Sequence, residues 1–212
     1  MEYFVNCNTA PLAPYTAPLD RQQVEHLFRR AGFSASVQTV AQASGGSANA
    51  LVDGLINEAL TMPPLPAPEW ATWNRDNYPE DNDLARPVIR TQIESQKLDY
   101  TMGLLNNNLR DRLSFFWSNH FVTELDIYES PAFLYEYFEC LQRNALGNFK
   151  TFVAEIGLTN AMLFYLDGAY NNGQNPNENY ARELYELFTL GEGNGYTEED
   201  VVETSRALSG YT

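Results

Sequence analysis

The sequence is poor in lysine: of its 13 basic residues only Lys97 and Lys150 are lysines, against 28 Asp and Glu. A formal charge of −15 repels a phosphate backbone, which argues against nucleic acid as a partner. Cysteine is as scarce. Cys7 and Cys140 are the only two, in no CxxC spacing, so neither a zinc knuckle nor a disulfide framework is indicated and two unpaired thiols are expected. No stretch approaches the roughly 18 consecutive apolar residues of a transmembrane segment. The opening MEYFVNCNTAPLAPYTAPLD lacks the basic start and long apolar run of a classical signal peptide. Also missing are a G-x-S-x-G elbow, a P-loop and a glycine-rich dinucleotide fingerprint after a strand pattern. Gly191, Gly193 and Gly195 follow a helical pattern instead and read as a helix cap and turn. No alternating apolar–polar run of useful length occurs, so strands are not expected.

What is present is the material of a folded core. Hydrophobic residues make up 44% of the 212, with 13 Tyr and 12 Phe, a composition of globular and not disordered chains. The reading is all-α: an irregular multi-helix bundle with a long loop containing Pro and Trp. Pro11, Pro14 and Pro18 make residues 1–19 an extended arm, whose Tyr3, Phe4, Val5, Leu12 and Tyr15 are candidates to dock on the body. Residues 20–212 read as one helical domain. Asp20 caps a first helix that Gly32 stops. A short helical turn spans 36–43, and Leu51 to Leu60 lie on one helical face that ends before Pro63 and Pro64. The segment 63–83 is the long loop, with Trp70, Trp73 and Tyr78 as pins, and is the best place for a lid. Helices are expected from Leu84 to near Asn106, from Leu109 to Val122, and from Pro131, behind a Ser130 cap, to Ala145. Two shorter ones follow at 148–156 and 159–166. Another runs from about Asn177 to Leu190, and a last one starts at the capping-box pattern Thr197-Glu198-Glu199-Asp200.

The 177–190 helix carries the most informative residues. At about 100° per residue, with Asn179 at zero, Arg182 falls near 300°, Glu183 near 40° and Glu186 near 340°. Tyr180, Leu184, Leu187 and Phe188 take the other side. The stripe is either a solvated face with an Arg182–Glu186 pair or one half of an interhelical network. The first helix offers the counterpart in His26, Arg29 and Arg30. Guanidinium groups facing the glutamates would lower the carboxylate pKa values. His120, in the apolar run Phe115-Phe116-Trp117-Ser118-Asn119-His120-Phe121, is either a core histidine or an acid–base group working with a carboxylate. His26, His120, Glu183 and Glu186 together would suffice as ligands for a divalent metal, although Glu-x-x-Glu is not the Glu-x-x-His of di-iron bundles. The identity of any metal or cofactor is left open.

Five blocks then resemble a known family: His26-Leu-Phe-Arg29-Arg30-Ala-Gly-Phe33, Phe116-Trp117-Ser118-Asn119-His120-Phe121, Arg143-Asn-Ala-Leu-Gly-Asn-Phe149, Pro176-Asn-Glu-Asn-Tyr-Ala-Arg-Glu-Leu-Tyr-Glu-Leu-Phe-Thr-Leu-Gly191, and Tyr196 to Tyr211. In order along most of residues 20–211, they are similar to the bacterial family called domain of unknown function 1800. The resemblance supplies no reaction. It implies a relative of large exported bacterial proteins, and the MEYF-like start is similar to members from Bacteroidetes, where surface display is common. Family members continue past the last block, so the resemblance implies that this chain is an N-terminal portion. The family usually has His where Ser118 stands, which weakens a catalytic role for that position. The functional expectation is therefore a secreted or cell-surface binding or assembly module, a candidate secretion-system substrate, with other secreted or outer-membrane proteins as partners and Asn119, Asn179, Arg182, His26, Arg29 and Arg30 in its network. The alternative is a hydrolase or metal-dependent enzyme acting on an extracellular polymer through Glu183, Glu186 and His120.

Overall fold

The computed structural model describes residues 13–106 and 108–211; Cys7 and the arm residues Tyr3, Phe4, Val5 and Leu12 lie outside them. Among the described residues there are eleven α-helices and no strand, the one extended pairing being a single bridge between Asn172 and Asn175. The fold class is all-α, as the missing alternation implies.

Local signals set most helix starts. In α1 (Arg21–Ala31) the Asp20 carboxylate accepts from the Gln23 N–H while the Gln23 side chain accepts from the Asp20 N–H, which satisfies two otherwise orphaned donors. Ser36 caps α2 (Val37–Ala43) and Ser47 caps α3 (Ala48–Thr61). These three helices close over a small cluster of Leu19, Val24, Phe28 and Val40. Leu19 is tied down by backbone bonds to the turn at Gly45 and Gly46.

The 63–83 segment is a strap. It makes two 3₁₀ turns, Glu69–Thr72 and Arg75–Asn77, and is bonded to the body along its length. The Leu65 N–H donates to Gln142 Oε1 at 2.8 Å, the Pro63 carbonyl accepts from Arg110, and the Tyr78 hydroxyl donates to Gln92 Oε1 at 2.7 Å. Trp73 packs edge-on against Tyr78. The segment lies against α7, away from the cleft described below, so it is no lid over that cleft.

Beneath the strap run α4 (Asn82–Leu105) and α5 (Leu109–Ser118). The latter ends four residues before the expected Val122. The Ser118 hydroxyl and the Asn119 amide both donate to the Phe115 carbonyl, and such local side-chain bonds compete with the helical ladder. The chain therefore turns, and Phe121 drops into the core, 1% exposed. A single turn that the sequence did not announce, α6 (Leu125–Tyr128), precedes α7 (Pro131–Arg143), which begins as the Ser130–Pro131 pair indicates. α7 packs on α4, α5, α8 (Phe149–Gly157) and α9 (Asn160–Tyr165). Its Tyr137, Cys140 and Leu141 join Phe121, Phe152, Ile156, Met162, Tyr180 and Phe188 in the main core.

The expected 177–190 helix is the largest departure. Only α10 (Asn179–Glu183) is α-helical; Leu184–Thr189 is a π-helix. The Thr189 hydroxyl donates to the Leu184 carbonyl, and the Leu190 and Gly191 N–H groups both converge on the Tyr185 carbonyl. The wider turn carries more residues per turn than the 3.6 assumed for an α-helix, so the phase of every later side chain shifts. Leu187, expected on the apolar side, is 63% exposed, while Phe188 is buried. After the turn made by Gly191, Gly193 and Gly195, all at positive φ, the Thr197–Asp200 capping box opens α11 (Glu198–Ala207).

Candidate functional site

A cleft of about 480 Å³ opens where the turn after α5 meets α10 and the π segment, with Asn119, His120, Asn179, Glu183 and Leu187 along its walls and the end of α9 (Tyr165, Leu166) as its third side. That volume is in the range of small-molecule and side-chain pockets.

His120 reaches the cleft because α5 ends early. Its ring packs against Phe121 with centroids 4.6 Å apart and against Trp117 at 5.7 Å. Nε2 lies 3.0 Å from the Phe188 carbonyl. A carbonyl only accepts, so Nε2 carries the proton of the neutral ring and Nδ1 keeps its lone pair. The Phe188 carbonyl is available because it belongs to the last turn of the π segment, where no following N–H reaches it. One histidine thus joins the two walls.

The other polar groups of the cleft include several acceptors left over. The Asn119 amide donates to the Phe115 carbonyl and the Asn179 amide to the Leu166 carbonyl at 3.2 Å, which leaves both side-chain oxygens unused. Glu183, partly buried, has no hydrogen bond or ion pair with any described residue. The acceptors are one carboxylate, one imidazole lone pair and two amide oxygens, beside the Tyr165 hydroxyl and the second N–H of each amide, which can donate.

The remaining candidates lie elsewhere. Glu186 pairs with Arg182 at 3.3 Å on the α11 side and does not line the cleft. Arg182 is further gripped by Glu178 at 3.2 Å and by Glu198, which takes both guanidinium nitrogens at 3.0 and 2.7 Å. The Arg182 hydrogen bond holds the Glu198 carboxyl below its ordinary range. The ion network is therefore real, but its partners are Glu178 just before α10, Glu186 on the π segment and Glu198 on α11. The facing arrangement expected with α1 does not form. α1 turns Val24 and Phe28 inward against α2, so its opposite face meets solvent: Arg29 and Arg30 are exposed and form no ion pair with a described residue. His26 lines a separate apolar groove of about 450 Å³ with Tyr15, Leu19 and Leu27. The four-residue metal set is thereby split, and among the described residues no three His, Cys, Asp or Glu are placed to hold a metal ion. Ser118 is engaged with the Phe115 carbonyl and does not line the cleft.

Sequence reasoning missed a second polar centre. Asp111, 1% exposed, is held by Arg110 at 2.7 Å, by the Asn108 amide at 2.6 Å and by the Gln142 amide at 3.1 Å. Its only sequence signal is the Asn108-x-x-Asp111 spacing at a helix start, which reads as an ordinary cap. Gln142 passes the same network on to the strap through the Leu65 N–H.

Two blocks singled out in the sequence, Phe116–Phe121 and Pro176–Gly191, thus supply opposite walls of one cleft. No curated protein and no solved structure matches the chain. The family model described as "Protein of unknown function (DUF1800)" matches residues 26–212, and the chain belongs to that family.

Proposed function

We propose that the domain is a binding module of an exported or cell-surface protein, and that its cleft accepts a cationic side chain of a partner protein. The observation that supports this reading is the uncompensated negative charge of the cleft. The Glu183 carboxylate has no countercharge among the described residues, it shares the cleft with the acceptor oxygens of Asn119 and Asn179, and the chain as a whole carries −15. A guanidinium or ammonium group supplies what those acceptors lack. No helix among the described residues is long and apolar enough to cross a membrane.

Titration of the protein with an oligo-arginine peptide, followed by calorimetry at physiological salt, tests the reading. Glu183→Gln is expected to weaken binding at least about tenfold, since it leaves a buried cation without its charge partner. General attraction to a charge of −15 would survive the loss of one carboxylate, so equal affinity of the variant and the parent overturns the proposal.

A second reading draws on the His120 tautomer. An imidazole fixed by a backbone carbonyl, with its other nitrogen free, is prepared to accept a proton, and Glu183 shares the cleft. This is the acid–base enzyme acting on an extracellular polymer. His120→Asn abolishing turnover of such a polymer would support it; turnover unchanged in both His120→Asn and Glu183→Gln would remove it.

A further inference from the structure

The start of the strap and the last three turns of α4 border another pocket, of about 350 Å³. Its two walls differ in chemistry. On the strap side stand Leu65 and Pro66. The Leu65 N–H is spent on Gln142 Oε1, its carbonyl accepts from the Tyr135 hydroxyl at 3.4 Å, and proline has no N–H to offer. That wall is therefore apolar and, being bonded to α7 through both groups, fixed in place. On the α4 side stand Gln96, Asp99, Met102 and Asn106. At about 100° per residue they fall within about 120° of one another, and at 1.5 Å per residue they extend along roughly 15 Å of the helix.

The α4 wall is polar and unsatisfied. Gln96 is 2% exposed, yet its carboxamide has no hydrogen bond with any described residue, and a buried amide without partners costs free energy. Trp70 Nε1 is the one unbonded side-chain polar atom sealed from solvent among the described residues. Both polar atoms of the Gln96 amide therefore stay accessible, through the pocket that the residue lines. Asp99 has no ion pair, and the Asn106 side chain no hydrogen bond, with a described residue. α4 carries no basic residue in its last turn, which leaves the partial negative charge of the helix end without a cation.

We propose that this pocket binds a linear aliphatic polyamine, at a site separate from the cleft of Glu183. One ammonium group meets the Asp99 carboxylate and the Gln96 amide oxygen in a charge-assisted contact. A second meets the Asn106 oxygen and the end of α4, where the helix dipole favours a cation. Asp99 and Asn106 are about 10 Å apart along the axis, too far for one charge and within the span of a chain such as spermidine. The methylenes between the charges lie on Met102, Leu65 and Pro66, which bury them. An anion would meet Asp99 and the negative helix end, and a plain hydrocarbon would leave the Gln96 amide unpartnered.

Spermidine titrated into the full chain at physiological salt and followed by calorimetry tests the assignment. Saturable binding is expected. Asp99→Asn, which removes the charge partner of a desolvated cation, weakens it about tenfold or more, and so does replacing spermidine by the singly charged butylamine. Gln96→Leu weakens binding about threefold or more while the melting temperature of the free protein holds or rises, because the amide it removes has no bond to lose. General attraction to an acidic chain is measured with Asp53→Asn, an exposed carboxylate on α3 outside the pocket. Equal affinities of Asp99→Asn and Asp53→Asn overturn the proposal, as does butylamine binding as tightly as spermidine. So does the absence of saturable binding, which leaves the pocket to water, or a fall in the melting temperature of Gln96→Leu, which makes that residue structural. Binding lost in Glu183→Gln and kept in Asp99→Asn puts the ligand in the other cleft and overturns it as well.

Discussion

Two arginine–carboxylate networks occupy opposite situations in this molecule. Arg110 and Asp111 are 7% and 1% exposed and are joined by Asn108 and Gln142. Arg182 is 31% exposed and holds three glutamates, one of them 75% exposed. The second has more ion pairs, yet the first matters more to the fold. A buried carboxylate that loses its partner cannot turn to water, whereas surface charges separated by a few ångströms are already largely solvated. Position decides the strength, and the number of pairs does not.

Breaking the buried network should give the largest effect. Asp111→Ala strands the Arg110 guanidinium and the Asn108 and Gln142 amides, and a loss of about 3–5 kcal/mol is expected in urea unfolding. Gln142→Ala comes next, at about 1–3 kcal/mol, because it removes one bond to Asp111 and the acceptor of the Leu65 N–H. Its distinctive mark would be earlier proteolysis of the 63–83 strap, which a purely local defect at α7 would not produce. Smaller again is an alkaline effect at Tyr100, whose hydroxyl is hydrogen-bonded to Ser114 beside Asp111. Burial pushes its phenol up from 10.0 to about 12, against the lowering pull of that hydrogen bond. The folded pKa lies above the unfolded one, so this stabilisation is complete below pH 10 and is lost as the pH rises from there towards 12. Thermal melts through that window should fall less steeply in Tyr100→Phe. The least effect belongs to Arg182→Gln, whose melting temperature should match the parent's at high salt, where exposed pairs are screened. A large drop there would show that the exposed network does the work assigned to the buried one.

The same contrast explains what could be read in advance. Helix starts were legible at Asp20, Ser130–Pro131 and Thr197–Asp200, because a cap is a local bargain among residues three apart. Glu183, His120, Asn119 and Asn179 were legible as candidates, and their shared cleft bears on that choice. The premature end of α5 depends on how Ser118 and Asn119 bond their own backbone. The partners of Arg182 depend on where α11 returns. Neither the buried role of Asp111 nor the solvent-facing role of Arg29 and Arg30 is written in residue type. They follow from which face each helix needs for its apolar contacts, and that is settled only when all the helices are in place.

The π segment has a consequence for anyone altering this region. A π turn behaves as an α-helix into which one residue has been inserted without a loop to absorb it. Removing one residue between Leu184 and Leu187 should therefore restore an ordinary helix with Phe188 in the place that the α-helical phase gives residue 187, still facing the core. The surplus residue thus decides that Phe188 and not Leu187 takes the inward place, and a single deletion inside the π segment should be tolerated far better than one inside α7, which carries no surplus residue.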